Sequence, residues 1–166
     1  MKMVYEFFKK PVQIRGKHAR MAGELWNRDN YEEGYFKRLI DLYMVAPIIG
    51  FRMNRKAEAD TTSNEEKTIF AEQIISEKDN LEFILQLILI LEYADKLPAR
   101  TCIDKAFRNV EKKEDFEKYN KLFHDYMRGG IEELYEQLIV RHSEIDKGAF
   151  SEKSENIRML LKRFFC

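Results

Sequence analysis

An all-α bundle of seven to eight helices is the fold class this sequence predicts, and three observations carry it. Seven Gly and three Pro in 166 residues supply too little turn chemistry for a sheet protein. Apolar residues recur at three- and four-residue spacing along most of the chain, the period of an amphipathic helix. The run Leu81 to Leu91 is apolar at nine of eleven positions, interrupted only by Glu82 and Gln86. Such a run is about half the length that crosses a bilayer, so it reads as a buried helix, with a central strand as the alternative.

The elements follow in order. Met1 to Pro11 is poorly determined and is read at most as a short strand. Gln13 to Trp26 is expected as a helix with Ile14, His18, Met21, Ala22 and Leu25 on one face. Asn30 caps the next helix, with Glu32 and Glu33 in its first turn. Phe36, Leu39, Ile40 and Tyr43 form its core stripe, and Pro47 is expected to kink or end it. Lys56 to Thr62 reads as a surface loop. Ser63 with Glu66 has the spacing of a capping box and predicts a helix carrying Ile69, Phe70, Ile74 and Ile75.

Asp79 and Asn80 then open the helix of the apolar run, which extends to Lys96 before Pro98 stops it. Ile84, Leu87, Ile88, Leu91 and Ala94 make its wide apolar face, and Glu82, Gln86 and Tyr93 a narrow polar strip. The helix at about 79–96 is therefore expected to be the central buried helix of the bundle. Thr101 to Val110 is a short helix packing through Ile103, Phe107 and Val110. Asp115 to Arg128 places Phe116, Tyr119, Phe123 and Tyr126 on one side, and Gly129 and Gly130 are expected to end it. Ile131 to Arg141 is another amphipathic helix, packing through Leu134 and Leu138. A last helix, Ser154 to Phe165, is expected to be buried through Ile157, Leu160, Leu161 and Phe164. Residues 1–166 are read as a single helical domain, long enough to bury about 70% of its unfolded surface.

The 29 basic and 29 acidic residues cancel, but unevenly along the chain. Residues 1–28 hold seven Lys/Arg against Glu6 and Glu24, and a second basic cluster is Arg52, Arg55 and Lys56. A neutral chain can still present one positive surface. Lys9, Lys10, Arg15, Lys17, Arg20, Arg52, Arg55 and Lys56 are the candidate phosphate contacts to nucleic acid, with Phe7, Phe8 and Trp26 interleaved.

No catalytic residue, metal ligand or cofactor is expected. Two cysteines, Cys102 and Cys166, make neither a disulfide framework nor metal-ligand spacing. No Glu is followed three residues later by His, so the paired-metal motif of helical bundles is missing. His18 and His142 lie on apolar faces and read as packed side chains. Gly129 and Gly130 follow a helix and precede Glu132 and Glu133, which would repel an anion. Asp41 reads as a solvated ion pair with Lys37 or Arg38. Met1 to Lys10 lacks the apolar core of a secretion signal, and no membrane span is expected, so a cytoplasmic location follows.

These readings favour a non-catalytic helical adaptor or regulatory subunit. It would act through protein contacts, with nucleic-acid backbone contacts from its basic N-terminal face. The pattern around Phe107, Phe123 to Gly130, and Leu134 with Tyr135 resembles small helical subunits, and a small subunit of a bacterial defence or DNA-processing complex is the alternative. An enzyme with a site near His124 and Asp125, reached by Glu82, is the rival class. A protein partner is expected, and the oligomeric state is left open.

Overall fold

The computed structural model describes residues 4–27, 34–141 and 152–165. Among them the chain is an all-α bundle of seven helices with one two-stranded ribbon. The helix start expected at Asn30 and the packed side chain expected at His142 lie outside the described residues.

The N-terminal expectation changes first. Val12–Arg15 is a strand, β1, and helix α1 begins only at Lys17 and runs to Trp26. Val12 and Ile14 alternate with polar residues, which suits a strand, and Gly16 at φ +62° turns the chain out of it. The partner is β2, Glu66–Ile69, paired antiparallel with Val12 opposite Ile69 and Ile14 opposite Lys67. This long-range pairing overturns the helix predicted from Ser63 and Glu66. What remains of it is the short α3, Ala71–Ser76. Tyr5 and Val110 form a further antiparallel bridge that ties the N-terminal segment down.

Helix α2, Leu39–Arg52, continues through Pro47 instead of ending there. An interior proline costs ~3 kcal/mol, and the burial of Leu39, Ile40, Leu42, Tyr43 and Ala46 against neighbouring helices outweighs it. The main neighbour is α6, Lys113–Tyr135, which likewise runs straight through Gly129 and Gly130. The two glycines serve close approach, not termination. A Cβ on Gly130 would overlap the Ala46 carbonyl oxygen, and one on Gly50 would overlap that of Tyr126. The α2 and α6 backbones therefore meet with no side chain between them, and Tyr43, Phe123 and Tyr126 fill the space to either side. A π-helical turn at Glu136–Val140 finishes α6 where a separate helix was expected.

Helix α4, Lys78–Tyr93, forms where the apolar run predicts it. It buries Leu81, Ile84, Leu85, Ile88 and Leu89, but Phe83, Leu87 and Leu91 face outward. The helix at 79–96 thus flanks the core, and the α2–α6 pair is the axis. The close glycine contact draws α2 and α6 together at the centre and leaves α4 covered on one side only. Helix α5, Ala99–Phe107, packs beside α4. It turns Cys102 inward and leaves Ile103 and Phe107 exposed, the reverse of the predicted face.

Helix α7, Glu152–Phe165, departs furthest from expectation. Its buried residues are Glu155 and Asn156, whereas Ile157 and Leu161 are exposed. Polar contacts hold it: the Asn156 side-chain amide donates to the Leu138 carbonyl (3.3 Å) and the Tyr35 hydroxyl (3.2 Å), and Lys153 donates to the Gly34 carbonyl.

Candidate functional site

The eight cations expected to meet phosphate do not form one positive face. Arg55 lies part-buried and forks onto three carboxylates of α6 and the turn beyond it. It reaches Glu132 at 3.0 Å, Glu133 at 3.0 Å and Glu136 at 2.7 Å. Lys17, from the other basic segment, reaches Glu132 at 2.8 Å, and the His18 Nε2 lies 3.0 Å from the same oxygen. One member of each basic cluster, Lys17 and Arg55, thus converges on Glu132. Lys56 pairs with Glu92 at 3.0 Å and lies 4.6 Å above the Tyr126 ring, whose hydroxyl also donates to Glu92.

Arg15 is held along the ribbon by Gln13 and Glu66, and Lys9 pairs with Glu6 at 2.7 Å. Arg52 makes a long contact of 3.5 Å to the Phe164 carbonyl. Among the described residues, Lys10 and Arg20 are exposed and lack a carboxylate partner. The interleaved aromatics are also largely occupied. Phe8 is buried against Phe123, Phe7 stacks on Phe116, and the Trp26 indole donates to the Lys37 carbonyl. Lys9 and Lys10 do line a groove of about 730 Å³ between residues 4–13 and α6, with Gln13, Lys113 and Asn120.

The charge cluster perturbs its members. Hydrogen bonding to Glu136 raises the Arg55 pKa further, against the opposing effect of burial. Burial pushes Glu132 up, but contacts with Lys17, His18 and Arg55 outweigh it and hold the carboxyl below its ordinary range. Burial lowers His18, with Glu132 offsetting part of the effect. With Glu132 ionised, the His18 proton sits on Nε2, and Nδ1 is left a buried acceptor with no donor.

His124 and Asp125, the enzyme alternative, face different partners. His124 Nδ1 donates to the Asn120 carbonyl (2.8 Å), which leaves Nε2 to accept from the Tyr43 hydroxyl (3.1 Å). Burial lowers His124 and raises Tyr43. Asp125 instead takes Lys121 and Arg128. Glu82 lies 3.4 Å from Lys78. Among the described residues no group of three His, Cys, Asp or Glu could hold a metal ion. Cys102 is a buried thiol near the Leu97 carbonyl, and Asp41 pairs with Arg38 as expected. Cys166 lies outside the described residues.

Sequence reasoning missed two apolar surfaces. On α4, Phe83, Leu87 and Leu91 recur at four-residue spacing and are 64%, 39% and 45% exposed. The neighbouring α5 adds Ile103 and Phe107. The signal was present in the sequence: nine apolar positions in eleven exceed what one buried face needs, and the surplus was read as a second buried side. The other surface is a groove of about 420 Å³ between α2 and α7. Among the described residues, no helix is long and apolar enough to cross a membrane.

The model of the family described as DNA sulphur modification system-associated protein 4 matches residues 12–150. No curated protein and no solved structure matches the chain.

Proposed function

The chain belongs to the DNA sulphur modification system-associated protein 4 family, and from that membership we propose that it is a helical adaptor subunit of such a system. It joins other components through protein contacts and acts as one unit over residues 1–166. The alternative drawn from the sequence, a small subunit of a defence or DNA-processing complex, points the same way.

The observation that carries this reading is the open apolar face of α4. Leaving apolar surface in water forfeits roughly 25 cal/mol per Å², and contiguous exposed patches mark interaction sites. Phe83, Leu87 and Leu91 present one such stripe with helical spacing, suited to a partner helix or groove. Co-expression of the chain with the other components of its modification system tests it. Wild-type protein is expected to co-purify with a component, and Leu87→Glu to lose it while its thermal unfolding stays unchanged. Undiminished co-purification of that variant would remove α4 as the contact. A second copy is the competing occupant of the stripe, and sedimentation that is independent of concentration excludes it.

A second reading keeps nucleic acid in view. Lys9, Lys10 and Arg20 support it, since they are exposed cations on the N-terminal side and two of them line the 4–13 groove. Arg15, Lys17, Arg55 and Lys56 serve the fold through their internal pairs. Phosphate contact by Lys9, Lys10 and Arg20 would position the adaptor on a duplex without reading its sequence.

A further inference from the structure

Helix α7 is attached in the opposite sense from an ordinary amphipathic helix. Its polar Glu155 and Asn156 are buried, while Ile157, Leu161 and Met159 are 37%, 49% and 48% exposed. Facing it across the groove, α2 exposes Val45 and Ile48 at three-residue spacing, with Arg52 one turn further on. Leu134 and Leu138 form the floor. Two helical apolar stripes thus flank an open trough that the chain's described residues do not fill.

Two features decide what fits it. The floor offers no free polar group: the Tyr35 hydroxyl already donates to the Leu138 carbonyl (2.8 Å) and accepts from Asn156. Small-molecule sites place a few polar groups to fix orientation, and here the floor has none to spare, with Arg52 at the rim, so apolar contact along its length must do the recognising. The charge that lines it is positive. Among the described residues Arg52 is the only charged one lining it, and the last turn of α7 carries Lys162 and Arg163. The nearby carboxylates are buried: Glu133 is shared by Arg55 at 3.0 Å and Arg163 at 3.5 Å, and Glu155 is paired with Arg158. That leaves Arg52 and Lys162 as the rim cations without a carboxylate partner among the described residues.

We propose that the trough between α2 and α7 receives an amphipathic helix of a partner protein, apolar on one face and acidic along its flanks. Helix-in-groove docking reads apolar anchors at i, i+3, i+4 and i+7, and opposite charge at the rim sets orientation and association rate. The trough shares no residue with the α4 face, so this proposal stands or falls apart from the adaptor reading.

The test uses the full chain and a labelled 18-residue synthetic helix with leucines on one face and glutamates on its flanks. A second peptide replaces the glutamates by lysines, and oleate serves as the acyl competitor. The Glu peptide is expected to bind at least tenfold more tightly than the Lys peptide at low salt. Ile48→Glu and Leu161→Glu, both at exposed positions, should each weaken it at least tenfold with an unchanged circular dichroism spectrum. Arg52→Glu should narrow the preference for the Glu peptide. Equal binding of the two peptides, no binding of the Glu peptide, unaffected binding by both groove variants, or displacement by stoichiometric oleate would each overturn the proposal. Co-purified complexes that survive Ile48→Glu but not Leu87→Glu would leave the adaptor reading intact and place no partner in the trough.

Discussion

Glu132 shows how a side chain that reads as an ordinary surface acid becomes a structural centre. It collects Lys17, His18 and Arg55 from two separate parts of the chain. Spacing alone could not reveal this, because the partners lie more than 70 positions away in sequence. A pH dependence follows from the same site. His18 and His124 are both held below the ordinary value of 6.5 by burial. Below pH 6.5 the unfolded chain therefore binds protons that the folded chain refuses, and stability falls as pH falls. Each such group contributes up to about 1.4 kcal/mol per pH unit in that window. The lowered Glu132, Glu136 and Glu92 extend the loss below pH 4.5. The thermal midpoint is expected to drop by several degrees between pH 7.5 and 5.5. His18→Gln, which keeps a donor for Glu132 but does not titrate, should flatten that slope. An unchanged midpoint across this range would contradict the buried neutral imidazoles.

Among the elements, the α2–α6 pair sets the geometry of everything else. Gly130→Ala is expected to cost about 3 kcal/mol, because the added Cβ meets the Ala46 backbone, which cannot swing aside. For a chain of this size that lowers the Tm by roughly 6–12 °C, measurable by calorimetry. Had Gly129 and Gly130 ended a helix in the left-handed conformation, as the sequence alone reads, the same substitution would cost about 1–2 kcal/mol. Most helices were legible in outline: the periodicities of α1, α2, α4, α5 and α6 each mark an element that exists. What misled was local evidence with two meanings. Ser63 and Glu66 can cap a helix or pair as a strand edge, and the pairing of Val12 with Ile69 and of Arg15 with Glu66 across the ribbon chose the strand. Pro47 stops an isolated helix, yet in α2 tertiary burial carries the helix past it.

For the whole molecule, five of the eight cations expected to meet phosphate, Lys9, Arg15, Lys17, Arg55 and Lys56, have carboxylate partners within the chain. Duplex binding, if the second reading holds, should weaken steeply with salt. The double variant Lys10→Glu with Arg20→Glu should abolish it with the Tm unchanged. Lys17→Glu, by contrast, should lower the Tm, since it sets a carboxylate against Glu132. Retention of binding by the double variant, read by fluorescence anisotropy, would end the nucleic-acid reading. The protein-contact reading does not depend on this outcome, because it rests on α4 and on family membership.

The sequence alone determined the all-α class, the positions of most helices and the identity of the aromatic core around Tyr43, Phe123 and Tyr126. Those are local matters, set by periodicity and by side-chain size, and each helix carries its own record of them. Only the tertiary structure decided which apolar residues are covered. An amphipathic stripe states that a face wants to leave water, not what will shield it. The backbone contact of α2 with α6 took the centre, and polar anchors turned α7 over. The outer sides of α4 and the α2–α7 trough stayed open to water because no described part of this chain reaches them.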